Sequence, residues 1–447
     1  MPPTRLLFGP VDPAWAARFL SADPNVRWVG HDATGWGAVA ARLPAGWEAD
    51  ALVVRPGYAS LPAWVWTAPV PVVALAHDPD LLWHTYRGLL PLADLVLTDG
   101  PAVGRLHRAG VSHARPANLY GLDADWLAEV DAPPADRDID VLFVGNLNPA
   151  VQGERLPWLG RVAELGDRFH VVIRTGVFGA EYRALVRRAK VCFNRSIRGE
   201  CNQRALEAAA GGAVLLQEAE NAEVPVYLAP GAEYVRYSAA DLEDTIARVL
   251  ADGAGRAAVS ARARARARGY GWLPLVRAAL DGCAGEWAEA GDRAARRTAA
   301  APGPDLRTRV WVRAGRAVGP DADPALAADL AAAGDDTGQA VVTPAAAVPC
   351  LARAAAAGNR VAGVGLGIAL AGLGRGAEAG SALRGVLTDL AARPLAPGEA
   401  EACPYPGGFD ALRTGWDRAG WDHPDDPAAA GAAKHALLRW RAAAALA

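Results

Sequence analysis

An asparagine, an arginine and a glutamate punctuate the stretch NQRALEAAAGG at 202–212, at a spacing that could hold a diphosphate and a diol. Arg204 and Glu207 stand three residues apart, so on a helix they project from one face. A guanidinium grips a diphosphate through two parallel hydrogen bonds. A carboxylate accepts from two vicinal hydroxyls, as a ribose presents. Asn202 is a good N-cap, and a helix starting there offers free N–H groups and a positive dipole end to a phosphate. The same spacing would equally serve a surface ion pair between the two side chains. A second candidate pair, His77 and Asp78, ends the apolar run PVVALA. A histidine and a carboxylate there could orient or deprotonate a hydroxyl, or the histidine could be a hydrogen-bonded core residue.

These residues need a scaffold, and the chain alternates short apolar runs with helix-compatible segments. The runs RLLFG, VRWVG, ALVVRPG, PVVALAHD and DLVLTDG fill the first 100 residues, with helical stretches such as DPAWAARFL and PAVGRLHRAG between or beyond them. After the proline-bearing linker DAPPADRD at 131–138, the alternation restarts with IDVLFVGN, FHVVIRTG, AKVCFNRS, AVLLQEA and EYVRYS. The intervening helices are expected at 154–166, 179–188, 203–210 and 240–252, with Gly211 and Gly212 stopping the third. Near-continuous apolar strands alternating with helices mean parallel sheets covered on both faces. The expected fold class is α/β, two Rossmann-like parallel-sheet units in tandem, 1–133 and 134–280, facing a cleft. Ligands of such sheets sit outside the carboxyl ends of the strands. The AAVSARARARARGYGW stretch at 257–272 reads as an exposed helix face with i,i+4 arginines.

From 281 to 447 strand-like runs vanish and an α-helical extension is expected, with a break at 298–307. Residues 359–390 suggest a helical hairpin similar to one tetratricopeptide unit, without a second copy, and KHALLRW a terminal helix. A partner protein could dock on these helices. GLGRGA at 372–377 fits a dinucleotide fingerprint only formally, since no strand precedes it.

Composition excludes several classes. Of 447 residues, 52% are hydrophobic and 21% charged, and the net charge of −3 gives no reason to expect nucleic acid or an anionic membrane as partner. Nearly all the cations are arginine; Lys190 and Lys434 are the only lysines. Five cysteines, without a C-x-x-C, fit a reducing cytoplasm better than a disulfide framework or zinc site. No run approaches the ~20 apolar residues of a membrane helix, so an integral membrane protein is not expected.

The stretch NQRALEAAAGGAVLLQEAENAEVPVYLAPGAEYVRYSAADLEDTIARVLAD resembles the C-terminal half of GT-B glycosyltransferases, and among them the CgeB-like and "glycosyltransferase group 1" types. The asparagine, arginine, glutamate, A-x-G-G, apolar strand, G-x-EYV-x-Y and DL elements occur in the family's order. DVLFVGN, DLVLTDGPAVGRLHRAGV and VPVVALAHD extend the likeness to roughly residues 50–270. The resemblance implies a metal-independent, retaining hexosyltransferase using a nucleotide-diphosphate sugar (UDP- or GDP-linked) as donor substrate, with no further cofactor. The acceptor, whether glycan, small molecule or protein, would approach from the first unit. Glu207 would hold the ribose and Arg204 the diphosphate; Arg155 and Arg174 are candidates for the remaining basic contact. Glu200 is one residue out of register with the family's first glutamate and is carried over as a sugar contact. His77 and Asp78 would face sugar or acceptor, with Asn146, Asn194 and Asn202 nearby. If the anomeric carbon were inverted, His77 or Asp78 would have to serve as general base; with retention the leaving diphosphate can take the proton. Trp36, Trp64 and Trp66 could form an acceptor platform, or core. The displaced glutamate leaves open a non-catalytic nucleotide-sugar-binding scaffold, and the architecture would also suit a sugar-nucleotide epimerase.

Overall fold

The computed structural model describes residues 2–20, 23–33, 35–56, 61–133, 135–299, 348–349, 351–352, 355–356, 358–395 and 411–446. The apolar runs become strands in two wholly parallel sheets. The first sheet comprises β1 (Leu6–Phe8), β2 (Val26–Trp28), β3 (Ala51–Val54), β4 (Val72–Ala76), β5 (Leu95–Thr98) and β6 (Ala114–Pro116), in the order β2-β1-β3-β4-β5-β6. The second comprises β7 (Ile139–Val144), β8 (Val171–Arg174), β9 (Ala189–Phe193), β10 (Val214–Glu218) and β11 (Val235–Tyr237), in the order β11-β10-β9-β7-β8. Helices cover both faces, so β1, β3, β4 and β5 are buried at every position. Burial of each large side chain there contributes about 1.5–3 kcal/mol. This is the expected fold class, followed by C-terminal helices.

Counted within its own unit, each sheet runs second, first, third, fourth, fifth, and the first sheet adds a sixth strand at that end. In that doubly wound order the crevice opens where the chain leaves the first strand in both directions. The two switch points are therefore the ends of β1 and β3 in one unit and of β7 and β9 in the other. Arg55 follows β3 directly, Gly145 and Asn146 follow β7, and all three line one cavity between the units.

The crossing between units departs from the boundaries at 133 and 280. The chain passes out at Leu122 and returns at Gly271, where the two segments pair: Leu122 N–H donates to Tyr270 at 2.8 Å and Trp272 N–H to Leu122 at 2.8 Å. The helix Ala124–Asp131 already packs on the second unit through Trp126 and Val130. Helices Trp272–Gly282 and Trp287–Ala299 return to the first, where Trp272, Val276, Leu280 and Trp287 join its core. Arg297 fixes the last turn: its guanidinium donates to the Trp66, Ala68 and Val70 carbonyls and pairs with buried Asp94 at 2.8 Å.

Beyond residue 299 the expected break at 298–307 lies outside the described residues. The expected hairpin forms as Arg360–Gly372 and Gly376–Ala392, with GLGRGA spanning the turn and no strand before it. KHALLRW falls in the helix Pro427–Ala444. The helix Ala411–Asp422 bridges both units. Arg418 pairs with Glu154 of the second at 2.8 Å, and Arg105 of the first reaches Asp422 at 2.7 Å. The arginine-rich stretch is a helix, Gly253–Ala267, and Arg264 caps the helix before the linker through the Glu129, Val130 and Ala132 carbonyls. Among the described residues no helix is long and apolar enough to cross a membrane.

Candidate functional site

The cavity between the units measures about 520 Å³. The second unit supplies the strand ends after β7, the first turn of the Gln203–Gly211 helix and the start of the Gly179–Arg188 helix. That first turn does face the cavity: Asn202, Gln203, Arg204 and Glu207 all line it. The helix stops at Gly212, whose φ of +74° is a left-handed cap that favours glycine.

Arg204 does not pair with Glu207. Its Nε and Nη2 donate to the Val144 carbonyl at 3.0 and 2.6 Å, and Nη1 to Asn194 Oδ1 at 2.5 Å. The guanidinium carbon lies 4.4 Å from the centre of the Phe143 ring. Only a glycine fits beside it, since a Cβ at Gly145 would collide with Nη2 and the Phe143 ring. Arg155 lies 5.5 Å from the centre of the same ring and donates from Nε to the Arg195 carbonyl at 3.0 Å. Burial, and then the charge on Arg204, lower its pKa to about 10. The pair of guanidiniums on one aromatic ring makes the second unit's wall strongly attractive to an anion.

Glu207 is buried within hydrogen-bonding range of Tyr182 and Trp126. Burial pushes its pKa up to about 7 against the opposing pull of Tyr182 and Arg204. Glu200 also lines the cavity but is occupied locally, accepting from the Arg198 N–H at 2.7 Å and the Ile197 N–H at 3.3 Å. Asn194 is wholly buried and does not reach the cavity wall. It joins Arg204, Asn202 and Gln217, and so positions the arginine. Asn202 leaves the helix N-terminus uncapped by its side chain, contrary to its expected N-cap role, because that amide bonds Asn194 instead. Asn146 lines the cavity, its Oδ1 accepting from the Asn148 N–H. Arg174 ends the edge strand β8 with its side chain exposed, and it is not among the lining residues.

On the first unit's side, Asp78 lines the cavity with φ +45°, a left-handed backbone that costs an aspartate about 1–3 kcal/mol. Tyr120 donates to its Oδ1 at 3.0 Å. His77 lies deeper, with ring nitrogens 3.2 Å from the Leu119 carbonyl and 3.4 Å from that of Leu75. Burial, then the Arg55 charge, lower its pKa to about 4, so at neutral pH it is an uncharged wall residue, unsuited to take up a proton. Trp64 and Trp66 sit in the first unit's core, with Trp36 packed against Trp64, rather than forming a platform. The aromatic side chains that do face the cavity include Trp15, Phe19, Tyr120 and Trp126. Arg55 could have been found from its place at the end of a strand. Nothing local distinguishes Trp15 from the other tryptophans.

The units are tied across the crevice by Arg198. Its buried guanidinium pairs with Asp80, with Asp99 at 3.0 Å and more loosely with Asp78 at 3.7 Å. Burial raises the pKa of Asp80 to about 6 although Arg198 opposes it, whereas burial of Arg198 is outweighed by Asp99 and Asp80, which keep it charged. Glu223 adds a second tie, accepting from the Gly100 N–H at 3.0 Å on one side and the Cys201 N–H at 2.6 Å on the other.

Residues 127–278 match the model of a family described as glycosyl transferase-like. No characterised protein matches the chain by sequence. Among solved structures, sucrose-phosphate synthase from Thermosynechococcus elongatus is 17% identical, with 62% of this chain and 87% of that one covered and a TM-score of 0.35. A glycosyltransferase from Rickettsia africae is 9% identical, covering 64% and 90%, with a TM-score of 0.37. The pneumococcal O-GlcNAc transferase GtfA is 10% identical, covering 55% and 57%, at 0.33. Scores this low leave the architecture to rest on the strand order of the two sheets. The family match covers the second unit, and with it Arg155, Arg204 and Glu207: this part of the chain resembles a glycosyl transferase-like domain.

Proposed function

We propose that the protein transfers a hexose from a nucleoside-diphosphate sugar, UDP- or GDP-linked, to an acceptor hydroxyl. The observation that carries this reading is the pair Arg155 and Arg204 on the Phe143 ring, beside an uncapped helix N-terminus and buried Glu207. Two like charges so close repel one another, and a diphosphate between them and the helix N-terminus would relieve that repulsion. Glu207 then accepts from the ribose hydroxyls. Phe178, 80% exposed at the cavity rim, offers a face to the base. The sugar lies toward Glu200 and Asp78, the only two of the three expected catalytic residues that line this cavity. Negative charge grows on the diphosphate as the glycosidic bond to it breaks, and preorganised guanidiniums and N–H groups stabilise that charge most. Both ring nitrogens of His77 face backbone carbonyls, so the ring is poorly aimed to take a proton from an acceptor; an inverting route would then rest on Asp78, whereas retention passes the proton to the diphosphate.

Thermal-shift and calorimetric titrations with UDP, GDP, ADP and their sugars test this reading. One nucleoside diphosphate is expected to stabilise the protein, by about 2.7 kcal/mol at a hundred times its Kd. Arg155→Ala should weaken it ~10- to 100-fold, for charge-assisted hydrogen bonds worth about 1.5–3 kcal/mol. No stabilisation by any of these nucleotides would sink the proposal. Conversion of the donor to another sugar nucleotide without acceptor would point to the epimerase instead.

A further inference from the structure

A recess of about 200 Å³ leads from the cavity into the first unit. Trp15, Phe19, Arg55, Asp78, Tyr120 and Gln203 line both spaces, and Trp272 lines the recess only. Trp15 and Phe19 are i,i+4 on the helix Pro13–Phe19 and stack with ring centres 5.1 Å apart. Trp272 meets Trp15 edge-on at 5.1 Å, and the Arg55 guanidinium lies 4.5 Å from the centre of the Trp15 ring. One wall of the recess is thus aromatic. Its inner polar groups are already engaged: Trp272 Nε1 donates to the Leu119 carbonyl at 2.9 Å, and both nitrogens of His77 face carbonyls. Asp78 stands at the mouth, its left-handed backbone holding the carboxylate between recess and cavity.

We infer that this recess is the acceptor subsite and that it takes a single-ring phenol, with its ring against Trp15 and Phe19 and its hydroxyl at Asp78. The inference rests on the sugar-transfer reading. A cavity of about 150 Å³ is large enough for benzene, so this space has room for one substituted ring. A pyranose of similar size carries hydroxyls all round, and those pointing inward would meet aromatic faces with their hydrogen bonds unmade. A phenol places its one polar group at the polar mouth, where Asp78, Arg55 and Gln203 stand. Its hydroxyl donates to Asp78, which orients the oxygen toward the anomeric carbon. That oxygen bonds to the carbon as the bond from the carbon to the diphosphate oxygen breaks. The electron pair leaves with the diphosphate, which also takes the phenolic proton, giving an aryl glycoside and a nucleoside diphosphate. With a pKa of about 10, a phenol gives up that proton far more readily than an alkyl alcohol.

Saturation-transfer NMR of the full chain with phenol, cyclohexanol and glucose, with and without UDP or GDP, tests the inference. Phenol should bind saturably and at least ~10-fold tighter than the other two, and Trp15→Ala should weaken it ~10-fold. Phe19→Leu, a milder change, should weaken it in the same direction, and cooperative urea unfolding of both variants shows that they remain folded. Nucleotide binding without phenol binding, a preference for glucose, or phenol affinity indifferent to both substitutions overturns the recess as an acceptor site while leaving sugar transfer standing. Phenol binding that depends on Trp15, in a protein that binds no nucleoside diphosphate, overturns the transfer reading and the acceptor role with it.

Discussion

Replacing Glu207 by glutamine should move stability and binding in opposite directions. Burial lifts the pKa of this carboxyl from its ordinary 4.5 to about 7. In the unfolded chain it ionises near the ordinary value; in the folded chain it keeps its proton until about 7. Between those values the folded state binds the extra proton, so stability falls as pH rises through that window. Above about pH 7 the whole penalty is present, on the order of 3 kcal/mol. Glutamine does not titrate. Its carbonyl can still accept from Trp126, and its amide can donate to the Tyr182 hydroxyl, so the substitution removes the buried charge without orphaning either neighbour. The variant should therefore match the wild type near pH 5 and exceed it at pH 8 by about 2–3 kcal/mol, read from urea midpoints without ligand. Nucleotide affinity should fall ~10- to 100-fold, since a hydrogen bond to a charged acceptor is worth about 1.5–3 kcal/mol. Wild-type affinity should decline below about pH 7 as the carboxyl takes its proton, whereas the variant's should not. A variant less stable than wild type at pH 8 would show that the carboxylate is not a burdened group. Unchanged nucleotide affinity would remove Glu207 from the ribose site.

Gly145→Ala should cost about 1–3 kcal/mol by overpacking and, because the new methyl group displaces the Arg204 guanidinium from Phe143, weaken nucleotide binding ~10-fold; calorimetry showing full affinity would mean that Arg204 does not contact the diphosphate. Arg297→Ala strands buried Asp94 and three carbonyls of the first unit, and should lower stability by about 3–5 kcal/mol in urea unfolding while leaving nucleotide affinity unchanged in the folded protein. A loss below about 1 kcal/mol would fit a solvent-screened pair and detach the Trp287–Ala299 helix from the first unit's architecture.

The second unit's wall of the cavity is legible in the sequence because its residues are close in the chain. Asn202, Arg204 and Glu207 lie within one helical segment after a strand, and there spacing alone dictates a shared face and a helix N-terminus beside the strand's carboxyl end. The strands were legible for a similar reason, since burial on both faces leaves an unbroken apolar run; β6, the three residues Ala-Arg-Pro, carries no such run and was missed. The unit boundary was not legible. A helical pattern at 272–299 says nothing about which sheet it covers, and the deciding contact, Arg297 with Asp94, spans about 200 residues. The same difficulty governs the first unit's side of the cavity. Residue type gives an indole no direction, so Trp64 and Trp66 could be taken for a platform although they fill the core, while Trp15 and Trp272 went unremarked. Their recess needs six separate segments to converge: the first helix, the end of β3, the residues after β4, those after β6, the start of the Gln203–Gly211 helix and the return helix that begins at Trp272. That convergence follows from strand order. Once β1 is flanked by both β2 and β3, the loops after β1 and β3 must open on the crevice, and the helix returning from the second unit has to cross beside them. One wall of the cavity can thus be read from one local motif, whereas the recess in such a two-sheet chain becomes readable only after the sheets have been ordered.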